Sequence, residues 1–244
     1  MTLRIGAHHN SPTLDVFARS LELQQPLIDA GIDYQIVWCF DGVETVEMFR
    51  IGALDVSGGA SQPPVAMMAH GVDVVFLATS APRDGRYGGG LVVRADSGIN
   101  SVQDLRGRSV ANIFGSWHTT ALAFSLDTAG LAWSDVVAVD LSVASARQAF
   151  RNGDLDAWII DEPTISKVRQ EVDVNILVKT SDILSHPSII WSTRAALDQD
   201  PDAVRVLLEA LDDTDRWISA HPEEAADLVV SGTTRSREDA LAIL

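Results

Sequence analysis

Residues 150–163 read FRNGDLDAWIIDEP, and residues 49–56 read FRIGALDV. Five residue types (Phe, Arg, Gly, Leu, Asp) match over the eight positions that begin at Phe49 and Phe150, 101 positions apart. In each copy a helical run, VETVEMFR or SARQAFR, stops at a glycine, Gly52 or Gly153. Glycine takes the left-handed conformation at a helix end with least strain. An aspartate and a short apolar strand follow, VSGG or AWII. Joints of this kind are common, but the match in type and order predicts two domains of similar build. The second copy ends in Asp161-Glu162-Pro163, so charge is set at the end of a strand that reads as buried. Those carboxylates belong at the mouth of a core rather than inside it.

Outward from this joint, strands and helices alternate. LRIGA (3–7), DYQIVWCF (33–40), residues 54–58, VDVVFLAT (72–79) and GGGLVVRA (88–95) read as strands, as do RSVANI (108–113), VVAVDL (136–141) and VNILVKT (174–180). Between them the apolar periodicity predicts helices over 15–31, 43–51, from Pro63-Pro64 onward, over 101–105 and over 119–130, with two more over 201–220 and 222–230. Such alternation predicts an α/β fold with mostly parallel sheets covered by helices. GGG at 88–90 follows the charged turn RDGRY and lacks the spacing of a phosphate-binding fingerprint, so it reads as a turn.

Composition narrows the function. A chain of 244 residues buries roughly three quarters of its unfolded surface, enough for one large core or two modest ones. No segment approaches the ~18 consecutive apolar residues of a membrane helix. A net charge of −16 with only two lysines, Lys167 and Lys179, excludes nucleic acid and anionic lipid as partners. Cys39 stands alone in YQIVWCF and reads as a buried thiol. Function is therefore sought in a pocket for a small molecule. In an open parallel sheet, ligands sit outside the carboxyl ends of the strands. Four loops there carry small and polar residues: HHNSPT (8–13), SGGASQPP (57–64), FGSWHTT (114–120) and DEPT (161–164), two from each half.

The runs GALDVSGGASQPPVAMMAHGVDVVFLA, VVRADSGINSVQDLRGRSVANIFGSWHTTALAFSLDTAGL and GDLDAWIIDEP resemble the aliphatic sulfonate, taurine and nitrate-binding (NMT1/THI5-like) group of substrate-binding proteins that serve ABC transporters. The resemblance covers nearly the whole chain. It implies a type II periplasmic-binding-protein fold: two Rossmann-like α/β lobes joined by two crossover strands and closing on a small ligand. The crossings are expected near 95–100 and 184–188, giving lobe I as 1–97 plus 187–244 and lobe II as 98–186. Members continue with more helix where this chain reads REDALAIL, so the C-terminal part of the fold is expected to be incomplete.

The resemblance also implies site residues. GSWHTT matches the segment whose hydroxyls and helix amides hold an oxyanion, which points to Ser116, His118, Thr119 and Thr120; Trp117, inside the same loop, is expected to stack on or wall the ligand. The physics agrees, because the first amides of a helix lack internal partners and its dipole end is positive. Gly59, Ser61 and Gln62 offer the same from the other half. For each hydroxyl, simple helix capping is the competing role. Asp161 and Glu162 depart from the pattern of sulfonate binders. If they face the ligand they disfavour a simple sulfonate and favour a zwitterion or cationic heterocycle; otherwise they turn outward or pair with Arg169. His8, His9 and Asn10 complete the candidate set, although adjacent side chains on an extended segment point to opposite sides, so at most one of the two histidines faces the ligand. No metal or other cofactor is expected.

Two functions remain open on the sequence. One is a solute-binding protein partnered by an ABC permease and an ATPase, working outside the cytoplasm with its signal peptide absent from this chain. The other is a cytoplasmic lyase-type enzyme on the same fold, desulfinase-, decarboxylase- or pyrimidine-synthase-like, using His9, His118 and Glu162 for acid–base chemistry.

Overall fold

A computed structural model of the protein describes residues 2–80, 88–184, 187–233 and 236–244. The chain divides into two compact units, Met1–Pro82 with Pro187–Leu244, and Arg83–His186. Its strands, in chain order, are β1 (Leu3–Ala7), β2 (Tyr34–Trp38), β3 (Val56–Gly59), β4 (Val74–Thr79), β5 (Gly89–Arg94), β6 (Ser109–Asn112), β7 (Val137–Asp140), β8 (Ala157–Asp161), β9 (Val174–Lys179) and β10 (Ile189–Thr193). The helices are α1 (Pro12–Arg19), α2 (Gln25–Asp29), α3 (Glu44–Arg50), α4 (Gln62–Ala69), α5 (Trp117–Thr128), α6 (Val143–Asn152), α7 (Glu162–Val168), α8 (Arg194–Gln199), α9 (Pro201–Ala220), α10 (Pro222–Ser231) and α11 (Arg237–Ile243).

Each unit is built on one five-stranded sheet, ordered β2-β1-β3-β10-β4 in the first and β7-β6-β8-β5-β9 in the second. The two orders superpose term by term, with β3 matching β8 and β10 matching β5. The repeated joint therefore enters the same strand of each sheet. Gly52 and Gly153 hold φ of 72° and 84°, as the helix ends require. The aspartate that follows has one job in both copies. Asp55 accepts from the backbone N–H and side-chain Nε of Arg4, both at 2.8 Å, at the start of β1. Asp156 accepts from the backbone N–H of Ser109 at 2.9 Å and from its hydroxyl at 2.8 Å, at the start of β6. A carboxylate thus fastens the neighbouring parallel strand in register, a charge-assisted bond repeated in each unit.

The apolar runs are continuous because both faces of each sheet are covered by helices. In β8, Ala157 and Ile159 belong to one buried cluster with Leu122 and Leu126 of α5, while Trp158 and Ile160 belong to another with Phe150 of α6 and Ile165 of α7. Successive side chains point to opposite faces, so a strand buried on both must be apolar throughout. In the first unit β1 packs on α1 and α9 through Leu3, Ile5, Leu14, Phe17 and Leu207, and Trp191 of β10 lies with Phe49, Leu54 and Met67.

Three expectations change, and one unassigned stretch becomes a strand. The sheets are mixed rather than mostly parallel, because β5 and β10 run antiparallel to both of their neighbours. IIWST (189–193), which carried no assignment, is the strand β10. Of the two readings of GGG, as the start of a strand and as a turn, the strand holds for Gly89 and Gly90, which pair with Asp161 and Ile160 of β8. The helix over 15–31 is two helices, because Pro26 has no N–H to continue the ladder and Ser20 turns extended (φ −123°, ψ 113°). β5 pairs with β8 and β9 and so belongs to the second unit. The charged turn RDGRY and part of the second expected crossing lie outside the described residues.

Candidate functional site

The four polar loops follow β1, β3, β6 and β8, the matching strands of the two sheets. In each unit the pair of strands is adjacent and parallel, so the two loops emerge side by side at the carboxyl edge.

In the first unit His8 is buried and its two ring nitrogens are both engaged. Nε2 lies 2.8 Å from the carbonyl of Gly58, and Nδ1 accepts from the backbone N–H of Asn10 at 3.3 Å. The tautomer is therefore Nε2–H, donating to Gly58. Burial pushes the imidazole pKa down to about 4, outweighing the Gly58 bond and the nearby Asp41; His9 adds to the lowering. His8 consequently ties the β1 loop to β3. Gly59 is needed there: with φ of 149°, a Cβ would sit 3.2 Å from the His8 ring. His9 is half-buried and meets Phe40 edge-on, with ring centroids 6.4 Å apart. Asn10 is exposed, and Ser61 and Gln62 are half-buried at the start of α4. Phe40, 78% exposed at the end of β2, was not among the sequence candidates. Its only sequence signal is an aromatic placed after a strand and before the charged turn Asp41-Gly42.

In the second unit the capping role of the hydroxyls is met. Ser116 is the N-cap of α5, its Oγ accepting from the His118 backbone N–H at 3.2 Å. The same Oγ lies 2.6 Å from the Ile113 carbonyl and 2.8 Å from His118 Nδ1. One hydroxyl hydrogen serves one of these; it goes to the carbonyl, which can only accept, and His118 Nδ1–H donates back to Oγ. The Ser116–His118 contact is thus a cap, not a nucleophile activated by a base. Thr119 turns its hydroxyl inward to Asn112 and Ile113, at 3.0 and 3.1 Å. Trp117 stacks on His118, centroids 4.1 Å apart, and packs against the core below. Asp161 is also a cap: it begins α7 and accepts from the Thr164 N–H at 2.8 Å. Glu162 pairs with Arg169 at 3.6 Å, the alternative that the sequence left open.

This pairing alters the electrostatics. Glu162 is not an isolated negative charge, because an open cavity of about 340 Å³ at this edge is lined by Glu162 together with Arg169 and Lys179. Gly88, Gly89, Ile176 and Ser181 complete its lining. The antiparallel β5 starts where β8 and β9 end, with Gly89 opposite Asp161 and Gly90 opposite Lys179, so side-chain-free backbone lies between the charged groups. Among the described residues no three His, Cys, Asp or Glu side chains cluster as a metal site, and no helix is long and apolar enough to cross a membrane.

A sheet of this order in each unit, with polar loops at matched strand ends, defines a class of two-unit α/β folds. Residues 28–225, more than half of the chain, match the NMT1/THI5-like family, and the chain belongs to that family. A protein of Bacillus subtilis (strain 168), named an aliphatic sulfonates-binding protein, is 30% identical over 93% of this chain and 68% of its own length. One of the same name from Escherichia coli (strain K12) is 27% identical over 77% of this chain, which spans only 58% of that relative. The crystal structure of the periplasmic aliphatic sulphonate binding protein SsuA from Escherichia coli matches with a TM-score of 0.84 at 23% identity, over 99% of this chain and 82% of that one. At that identity the likeness establishes the fold.

Proposed function

We propose that this chain is a solute-binding protein that captures a small organosulfonate outside the cytoplasm and delivers it to an ABC-type permease and its ATPase. The observation that carries the reading is the 30% identity to an aliphatic sulfonates-binding protein along 93% of the chain. The site supports it. An anion is favoured by the α5 N-terminus, whose dipole end is positive, and by two cations in the charged cavity of the second unit. The relatives named for aliphatic sulfonate binding favour this reading over the acid–base enzyme.

The ligand contacts proposed are His9, Asn10, Gly59, Ser61 and Gln62 from the first unit, and the α5 N-terminus with Glu162 from the second. The test is a thermal-shift panel of alkanesulfonates, taurine, sulfate, nitrate and amines, followed by mass analysis of the recovered ligand. Stabilisation by sulfonates with ligand mass unchanged is expected. A product of altered mass refutes the binding-protein reading.

A further inference from the structure

We infer that the cavity formed by Arg169, Lys179 and Glu162 is an internal-ion-exchange site, in which the acidic head group of the ligand takes Arg169 from Glu162 and pairs with Lys179. This deepens the proposed sulfonate reading and rests on it for the ligand, but the site itself stands on its own geometry.

Lys179 is one of two lysines in a chain carrying 34 acidic residues. It is the last residue of β9, exposed, and it makes no ion pair among the described residues, whereas most arginines here do. A cation left unpaired in a protein of net charge −16 is a place where an anion gains rather than loses by approaching. Across the cavity, the Glu162–Arg169 pair is half-exposed, with side-chain exposures of 45% and 47%, and its 3.6 Å separation is loose. Exposed pairs of this kind are weak, so a carboxylate of the protein yields readily to a better-placed anion. Arginine presents a planar fork that suits two oxygens of a sulfonate or sulfate, while lysine supplies a point charge for a third.

The floor between them is the start of β5. Gly89 is fixed by the fold, since a Cβ there would lie 2.2 Å from the Ile160 carbonyl, and at Gly90 it would lie 2.9 Å from Ile176. Gly88, half-buried, and Gly89 line the cavity without a side chain of their own, so nothing projects from β5 between the charged groups. Glu162 then acts as a competitor for simple anions, and as an anchor for any ligand that brings its own cationic group. The hydroxyls of Ser116 and Thr119, already committed inside α5's first turn, do not offer a rival site of this charge.

Sulfate and butanesulfonate are the probes, the first followed by amide NMR of the intact chain, the second by calorimetry. Sulfate is expected to shift the Gly88 and Gly89 amides in wild type and not in Lys179→Met. Lys179→Met and Arg169→Met are expected to raise the butanesulfonate Kd about tenfold each and to flatten its salt dependence. Glu162→Gln is expected to lower that Kd, the sign that distinguishes displacement from simple attraction. Lys179→Arg, which keeps the charge, should restore most of the binding and controls for misfolding. If wild type binds butanesulfonate but neither cation variant changes its Kd, this inference fails and the sulfonate reading stands. If sulfate moves the glycine amides through Lys179 while no sulfonate binds, the sulfonate reading fails and the anion site stands. Sulfate that leaves those amides unmoved overturns the inference.

Discussion

His8 makes the stability of the first unit depend on pH in a window where few side chains titrate. Its ring lies beside Gly42 and Gly59 and bonds the Gly58 carbonyl, and burial holds its pKa near 4 against an ordinary 6.5. The unfolded chain takes up a proton as pH falls through about 6.5, but the folded chain does so only near 4. Between these values the unfolded state binds more protons, so stability is full above the unfolded pKa and is lost as pH falls toward the folded one. A gap of roughly 2.5 pKa units at 1.36 kcal/mol each amounts to about 3 kcal/mol. Urea unfolding of wild type and His8→Gln, at steps from pH 7.5 to pH 4, isolates the effect because the carboxylates common to both cancel. His8→Gln is expected to be the less stable at pH 7, having lost the bond to Gly58. The advantage of wild type should then shrink by about 3 kcal/mol by pH 4. A difference that stays constant across the range refutes the buried neutral histidine.

Three further outcomes follow from the geometry. Asp156→Asn should destabilise by about 1–2 kcal/mol at pH 7 and by less at pH 3, measured by urea unfolding. Partial burial opposes ionisation of Asp156, but its two bonds from Ser109 and the nearby Arg108 outweigh it and lower the pKa, so its contribution is present above the ordinary carboxylate range and fades below. Gly89→Ala should lower the thermal midpoint by an amount corresponding to about 3 kcal/mol, because the new methyl meets the Ile160 carbonyl; an unchanged midpoint would refute the β5–β8 register. Cys39, with a thiol pushed up to about 11 by burial and then by Glu44 and Asp41, should react with iodoacetamide at pH 8 on the order of 100-fold more slowly than in the urea-unfolded chain.

The alternation of elements, the duplicated joint and the loops that follow β1, β3, β6 and β8 were legible because periodicity and glycine caps are local signals. Strand direction is not local. GGLVVR and IIWST carry the apolar runs that any doubly covered strand needs, and only their partners reveal that they run antiparallel. The break at Ser20 to Gln24 was masked by apolar spacing that suited a longer helix, although Pro26 marked it. At the site, residue types were legible and their partners were not. The sequence offered Ser116, Asp161 and Glu162 as ligand groups and also as caps or ion pairs, and the choice required distances to Ile113, Thr164 and Arg169. Lys179 was visible as a rare lysine at a strand end. Its relation to Glu162 depends on β5 lying between β8 and β9, which no stretch of sequence states.

The central claim is that the chain binds an organosulfonate and leaves it unchanged. Isothermal titration of the purified chain with butanesulfonate, with taurine and nitrate in parallel, tests it most directly. The account predicts one-to-one binding of the sulfonate that weakens with salt, and ligand recovered at its original mass. Absence of heat and of competition with any of the three, or recovery of a cleaved product, would contradict it.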